Sequence, residues 1–383
     1  MKVSCLQENL AKGLSIVGRA VATRSTLPVL ANILLATDDA RLKLSATNLE
    51  ISINCWIGAK ITQEGATTVP ARLLADFVNS LPAERLDMEL IMRTQTLNLK
   101  CGRYEANIKG IDAQEFPIIL VPEEDDRLRI APDLLREMID QVAFAAATDE
   151  SRPVLTGVLV EATEDSLTFA AADGYRLSVR SASLEEGGSQ PTSVIVPARA
   201  LQELRRISGE AEEPVEMLIS PSRNQVFFRL NDDPQGRIDL VSQLVEGTFP
   251  DYRQIIPTMH NTRLVVNTDD FLKAVRMAFI FARDAANIVR LQVIPNGHED
   301  GGGRLIVSAT SSEHGDNVSE LDATIEGQPI EIAFNARYLI DALSVIHTAQ
   351  VSLETRDPSS PGVLRPVGGG DLVHIIMPMH IAQ

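Results

Sequence analysis

The sequence predicts an α+β protein made of three copies of one domain, and the first reason is a short phrase written three times. "TVPARLLADFVNSLP" at 68–82 returns as "IVPARALQELRRIS" at 195–208 and, more loosely, as "IAFNARYLIDALSVI" from residue 332. Its arginines, Arg72, Arg199 and Arg337, stand 127 and 138 residues apart. That is the length of a domain, not the roughly 20 to 50 residues of a solenoid repeat. Two more phrases keep the same frame. "LPVLANILL" returns as "RPVLTGVLV", with Pro28 and Pro153 separated by 125 residues, and "EFPIILVP" at 115 returns as "TFPDYRQIIP" at 248. These landmarks divide the chain into residues 1–125, 126–258 and 259–383, with the polar, Pro-containing stretches "VPEEDDRL" and "PTMHNTRL" as connections.

Each third reads as strand, helix, several strands, second helix and more strands. In the first, Leu6, Leu10, Leu14, Val17 and Val21 fall at helical spacing, and Ser4 with Gln7 predicts a capping box. "RLKLSATNLEISINCWI" then alternates with period two, as a half-buried strand pair does. "SLTFAAADGYRLSVRSA" and "RLIVSATSSEHGDNVSEL" take its place in the other thirds. The second helix follows Pro70 in one copy and Pro197 in another, where a missing N–H costs nothing. Leu74, Phe77, Val78 and Leu81 form its apolar stripe. Such a unit lays its two helices on one face of a sheet.

The chain of 383 residues is 44% hydrophobic, enough for two or three separate cores. It has no run of about 18 apolar residues, and "MKVSCLQENL" lacks the basic and apolar parts of a leader peptide, so a cytoplasmic protein is expected. Cys5, Cys55 and Cys101 are odd in number and sit in strand-like segments, which favours buried free thiols over a metal site or a disulfide framework.

Nothing in the sequence carries catalysis. There is no P-loop lysine motif, no strand-linked GxGxxG, and no His or Cys pair at metal-ligand spacing, so neither cofactor, metal nor catalytic residue is expected. His260, His298, His314, His347, His374 and His380 are scattered, and solvated roles are expected for them. "GHEDGGG" at 297–303 reads as a hairpin loop, because no helix follows it. "ADGYRL", Ala172 to Leu177, reads as a turn between strands, with Asp173 and Gly174 supplying the geometry.

Charge is unevenly placed. The amphipathic segments 6–21, 70–82, 132–144, 197–208, 268–283 and 336–347 hold eleven Lys or Arg against nine Asp or Glu, while the whole chain carries −17. Two readings follow: ordinary solvated helix faces, or a shared lining, near neutral, inside a strongly acidic wall. The second surrounds a polyanion without gripping it, since neutralised phosphates set affinity.

"RSTLPVLANILL", "LSATNLEISI", "TVPARLL", "ADGYRL", "IVPARALQEL", "EGTFPDYRQIIP" and the terminal "IIMPM" together resemble the bacterial sliding clamp family, the β subunits of replicative DNA polymerase, from residue 24 to residue 379. The resemblance implies three repeated domains of the DNA clamp fold, each with two helices on an inner face and antiparallel sheets outside, in a ring-shaped head-to-tail homodimer. It implies a processivity factor without catalytic activity that encircles double-stranded DNA. Its partners would be the polymerase catalytic subunit, the clamp loader, and repair and translesion polymerases or ligase bearing short peptide motifs, with no membrane involved. Arg24, Arg72 and Arg199 match positions near the DNA path, joined by Lys12 and Arg205 of the amphipathic segments. Leu155, Gly174, Tyr175, Arg176, Leu177, Pro250, Ile376, Met377, Pro378 and Met379 match a partner-peptide cleft. Tyr175 stands where the familiar pattern has His, Ala172 where it has Thr, and the tail runs on as "HIAQ", which bears on peptide preference. Ile280 and Phe281 match a dimer interface, facing the edge strand around 104–110 of the other subunit. Two other classes fit the composition: a repeat scaffold that binds only proteins, and an enzyme with an unrecognised site.

Overall fold

In each third the strand that carries the chain into the repeated phrase lies at the edge of a sheet. The computed structural model describes the chain except residues 120–126, 185–190, 221, 223, 234, 235, 285, 297–301 and 381–383. The edge strands are Ala66–Pro70, Thr192–Pro197 and Ile330–Asn335. An edge tolerates Pro70 and Pro197, which have no N–H to give a ladder. Where the third copy writes Asn335 instead, its side-chain oxygen accepts from the Arg337 N–H at 3.0 Å and caps the helix.

Six α-helices follow in chain order: α1 (Gln7–Val17), α2 (Ala71–Asn79), α3 (Pro132–Val142), α4 (Ala198–Ile207), α5 (Thr268–Ala282) and α6 (Ala336–Ser344). Each buries the stripe that its spacing predicts, for example Leu10, Leu14 and Val17 in α1 and Leu74 and Val78 in α2. The expected capping box at Ser4 does not form. Ser4 lies in the strand Lys2–Leu6 and donates its hydroxyl to Asp87, α1 starts after Leu6 with no side-chain cap, and the Gln7 amide donates to the Val78 carbonyl at 2.8 Å. Strand pairing to Arg85–Ile91 has claimed the residue that would have capped the helix. Leu6 is therefore exposed rather than part of the stripe.

The chain gathers into two units, Met1–Arg136 with Arg199–Leu244, and Glu137–Ala198 with Val245–Gln383. The first contains a five-stranded sheet ending in the strand Tyr104–Lys109 and an eight-stranded sheet. In the latter, Ile51–Gly58 of the first third pairs antiparallel with Gly236–Gln243 of the middle third. The second unit holds a twelve-stranded sheet, in which Arg176–Ser183 of the middle third pairs antiparallel with Asp371–Ile376 of the last. Sheets thus run on across the repeat. The junction "VPEEDDRL" lies mostly outside the described residues, whereas "PTMHNTRL" runs from loop into the strand Thr262–Asn267. The core of the last third packs Phe271, Val275 and Ala278 of α5 and Leu339 and Leu343 of α6 on Leu291, Leu305 and Val307 of the sheet.

Candidate functional site

The turn 173–176 joins Ser166–Ala172 to Arg176–Ser183, as the motif predicts. Asp173 Oδ1 accepts the N–H groups of Tyr175 at 2.8 Å and Arg176 at 3.0 Å, and Gly174 takes φ +94°, a region that L side chains rarely adopt. Arg152 donates to the Asp173 carbonyl at 3.0 Å and leaves no room for a Cβ on Gly174. The ordered turn holds the Tyr175 ring out in solvent.

The strand after the turn divides its residues by face. Leu177 enters an apolar cluster with Leu159, Phe249, Tyr252, Val363 and Ile375, against which Leu155, Ala172 and Ile256 pack half-buried. Pro250 follows Phe249 and is exposed. The terminal strand pairs Leu177 with Ile375 and Arg176 with Ile376, and Met377 extends the ladder by donating its N–H to the Tyr175 carbonyl at 2.8 Å. Met379 donates to the Ala333 carbonyl at 2.8 Å, so the tail is tied down through Met379. The structure therefore brings Leu155, Gly174, Tyr175, Leu177, Pro250 and Met377 to one neighbourhood, with Pro378 and Met379 half-buried beside it.

Two expected cleft residues turn away from it. Ile376 is buried in the core of the last third, while Ile375 joins Leu177 in the apolar cluster, because successive residues of a strand point to opposite faces. Arg176 follows the same rule. Its side chain, 14% exposed, bonds Asp173 at 3.0 Å, Asp341 of α6 at 2.6 Å and the Phe144 carbonyl at 2.9 Å, and lies over the Tyr338 ring at 4.5 Å. It is a strut behind the cleft. Asp341 and Tyr338 carried no signal in the sequence, because only the fold brings α6 to the turn.

His374 corrects the expectation that the histidines are solvated. It is fully buried in the terminal strand, its ring 5.5 Å from Phe144. Burial, with the Arg176 charge adding to it, pushes its pKa down to about 3, so the ring is neutral. The three cysteines are buried and free, as expected; burial pushes the thiols of Cys5 and Cys55 up to about 12, which makes them poor nucleophiles. Among the described residues no group of three or more His, Cys, Asp or Glu is placed to hold a metal ion. No helix is long and apolar enough to cross a membrane. Residues 297–301 of "GHEDGGG" lie outside the described residues, but the strands Ile288–Pro295 and Gly302–Ser311 on either side pair as a hairpin.

The five basic residues matched to a DNA path all belong to the first unit. Arg72 opens α2 with its side chain 95% exposed and only a 3.9 Å contact to Asp76. Arg24 is exposed in the turns before 28, Arg199 is exposed in the first turn of α4, and Lys12 on α1 and Arg205 in the last turn of α4 are half-buried. On α5, Ile280 is 56% exposed, whereas Phe281 packs half-buried on its own core.

Comparison with known proteins decides the family. The N-terminal, central and C-terminal domains of "DNA polymerase III beta subunit" match residues 1–120, 129–251 and 253–380. The chain belongs to the DNA polymerase III beta subunit family, the beta sliding clamps. As a member it is a DNA sliding clamp of DNA polymerase III, with three domains of the clamp fold. It is 33% identical to the beta sliding clamp of Synechococcus elongatus over the full length of both chains, and 31% identical to that of Staphylococcus epidermidis over 94% of each. The sliding clamp structure from Bacillus subtilis superposes with a TM-score of 0.92 at 29% identity, and that from Pseudomonas aeruginosa with 0.88 at 29%, each covering 100% of both chains.

Proposed function

We propose that two copies of the chain close head to tail into a ring around duplex DNA, and one topological observation carries this. The strands Ile51–Gly58 and Arg176–Ser183 end their repeated sheets by pairing with the last strand of the next third. The corresponding strand of the last third, Gly315–Gly327, pairs outward only through 324–327 and leaves 315–323 without a neighbour on that side. The corresponding last strand of the first third, Tyr104–Lys109, is likewise an unpaired edge. A repeat that makes the same junction twice within the chain has one half of it left over at each end, and a second copy supplies both halves. An unsatisfied ladder in a long exposed strand invites such pairing. Charge agrees: 315–323 carries Asp316, Glu320 and Asp322, while the other edge is flanked by Arg103 and Lys109.

Within such a ring Lys12, Arg24, Arg72, Arg199 and Arg205 face the DNA, the acidic remainder keeps clear of it, and closure replaces tight contact as the source of retention. The cleft around Leu155, Leu177, Pro250 and Met377 takes short apolar peptide motifs of the polymerase, clamp loader, repair polymerases and ligase. The three thirds, 1–125, 126–258 and 259–383, act as repeated scaffold in the cytoplasm, with no chemistry of their own.

The test is the state of association. Ile280→Asp places a carboxylate on the exposed shoulder of α5, and leaving it buried and unpaired in the joined state costs several kcal/mol, ~3 or more. Sedimentation should show dimers for the parent and folded monomers for the variant. Phe281→Asp should give monomers with a lowered thermal transition, because Phe281 also packs on its own core. A parent that sediments as a monomer, or an Ile280→Asp variant that stays dimeric, contradicts the ring.

A further inference from the structure

The connecting segment 253–260 walls one side of a groove of about 840 Å³, whose other wall is the paired strands Gln350–Thr355 and Gly362–Pro366. The groove lies within the second unit, and none of Leu155, Gly174, Leu177, Pro250 or Met377 lines it. It is therefore a different surface from the peptide cleft, of a size that suits a ligand or a peptide side chain and its neighbours. Its apolar part is substantial. Ile256 and Val363 line it from the apolar cluster, and above them Met259 is 71% exposed and Ile255 43% exposed. Thioether and branched side chains held out in a connecting loop offer an adaptable contact surface.

Its charge runs against the rest of the molecule. Arg253, Arg356, Arg365 and His260 line the groove against one carboxylate, Glu354, in a chain of net charge −17. Glu354 is divided among Arg263 at 3.3 Å, Arg365 at 3.7 Å and His260 at 3.8 Å, so it neutralises none of them fully. Arg253 reaches Glu161 at 2.6 Å, and Arg356 has only Asp357 at 3.7 Å. Asp357 itself accepts the hydroxyls of Ser359 and Ser360 at 2.6 and 2.8 Å, which orders the turn that presents Arg356.

We propose that this groove is a second docking site, which takes an acidic, extended segment of a protein partner with an aliphatic anchor residue. The anchor packs on Ile255, Met259 and Val363, and the flanking carboxylates meet Arg356 and Arg365. Nucleic acid fits less well. No Trp, Tyr or Phe lines the groove to stack bases, and arginines already shared with carboxylates suit isolated acidic side chains better than a run of phosphates. The inference depends on neither ring closure nor the peptide cleft.

Fluorescence anisotropy tests it with a labelled short peptide of alternating Glu and Leu, its Lys and Leu counterpart, and a single-stranded oligothymidylate. The acidic peptide should bind, more weakly as salt rises. Arg356→Glu and Met259→Glu, both at exposed positions where the thermal transition should not move, should each weaken it on the order of tenfold. Deleting 377–383 should leave it unchanged, which separates this groove from the peptide cleft. Affinity untouched by both substitutions, equal binding of the Lys peptide, tighter binding of the oligonucleotide, or loss of binding on the tail deletion would each overturn the proposal.

Discussion

Arg176→Ala removes the strut behind the cleft, and its cost follows from the contacts. The guanidinium makes three charge-assisted hydrogen bonds, to Asp173, Asp341 and the Phe144 carbonyl, and stacks on Tyr338. The Asp341 contact counts for little, because that carboxylate is 43% exposed and water replaces the partner. Asp173 and the Phe144 carbonyl are less exposed, and each is left short of a bond worth about 1.5 kcal/mol or more when charge is involved. The sum is about 3 kcal/mol, or roughly 6–12 °C for a cooperative unit of this size. Arg176→Lys keeps the charge but not the planar fork, so it should recover less than half of the loss. Calorimetry measures the shift, and amide hydrogen exchange should locate it at 141–147, 173–178 and α6. A Tm within about 1 °C of the parent for the Ala variant, or a Lys variant indistinguishable from the parent, refutes the strut.

The tail and the buried histidine give two further expectations. Deleting 377–383 removes Met377 and its bond to the Tyr175 carbonyl but spares the strand Asp371–Ile376, so binding of a polymerase-derived peptide should vanish while the thermal transition stays nearly unchanged; unfolding of the last third, or unaltered peptide affinity, would sink the cleft assignment. His374 has its folded pKa lowered from 6.5 to about 3, so the unfolded chain binds the extra proton between those values. Its stability contribution is full above pH 6.5 and is lost as pH falls toward 3, at up to about 1.4 kcal/mol per pH unit. His374→Leu should therefore flatten the acid side of the stability curve in chemical denaturation, and equal slopes for parent and variant would contradict this.

What was legible in the sequence was local. The phrase around Arg72, Arg199 and Arg337 marks three helix starts, and "ADGYRL" is a turn because Asp173 and Gly174 can form it without help from the fold. Periodicity says which face of a strand is buried but not what covers it. That is why Ile376 was expected beside Met377 and lies in the core of the last third instead, with Ile375 in its place. It is also why His374, one residue in a strand that reads like its neighbours, gave no hint of full burial. The continuation of sheets from one third into the next rests on pairings such as Ile51–Gly58 with Gly236–Gln243, whose partners lie far apart in sequence. No local pattern announces a partner that distant, and the same holds for Asp341 meeting Arg176.

The claim that closure, not grip, holds the protein on DNA is tested most directly by topology. Protein loaded onto nicked circular DNA should remain bound through moderate salt, at which exposed phosphate contacts are screened, and should leave when a single cut makes the circle linear. Equal retention on circular and linear DNA, or release from intact circles at that salt, would contradict it.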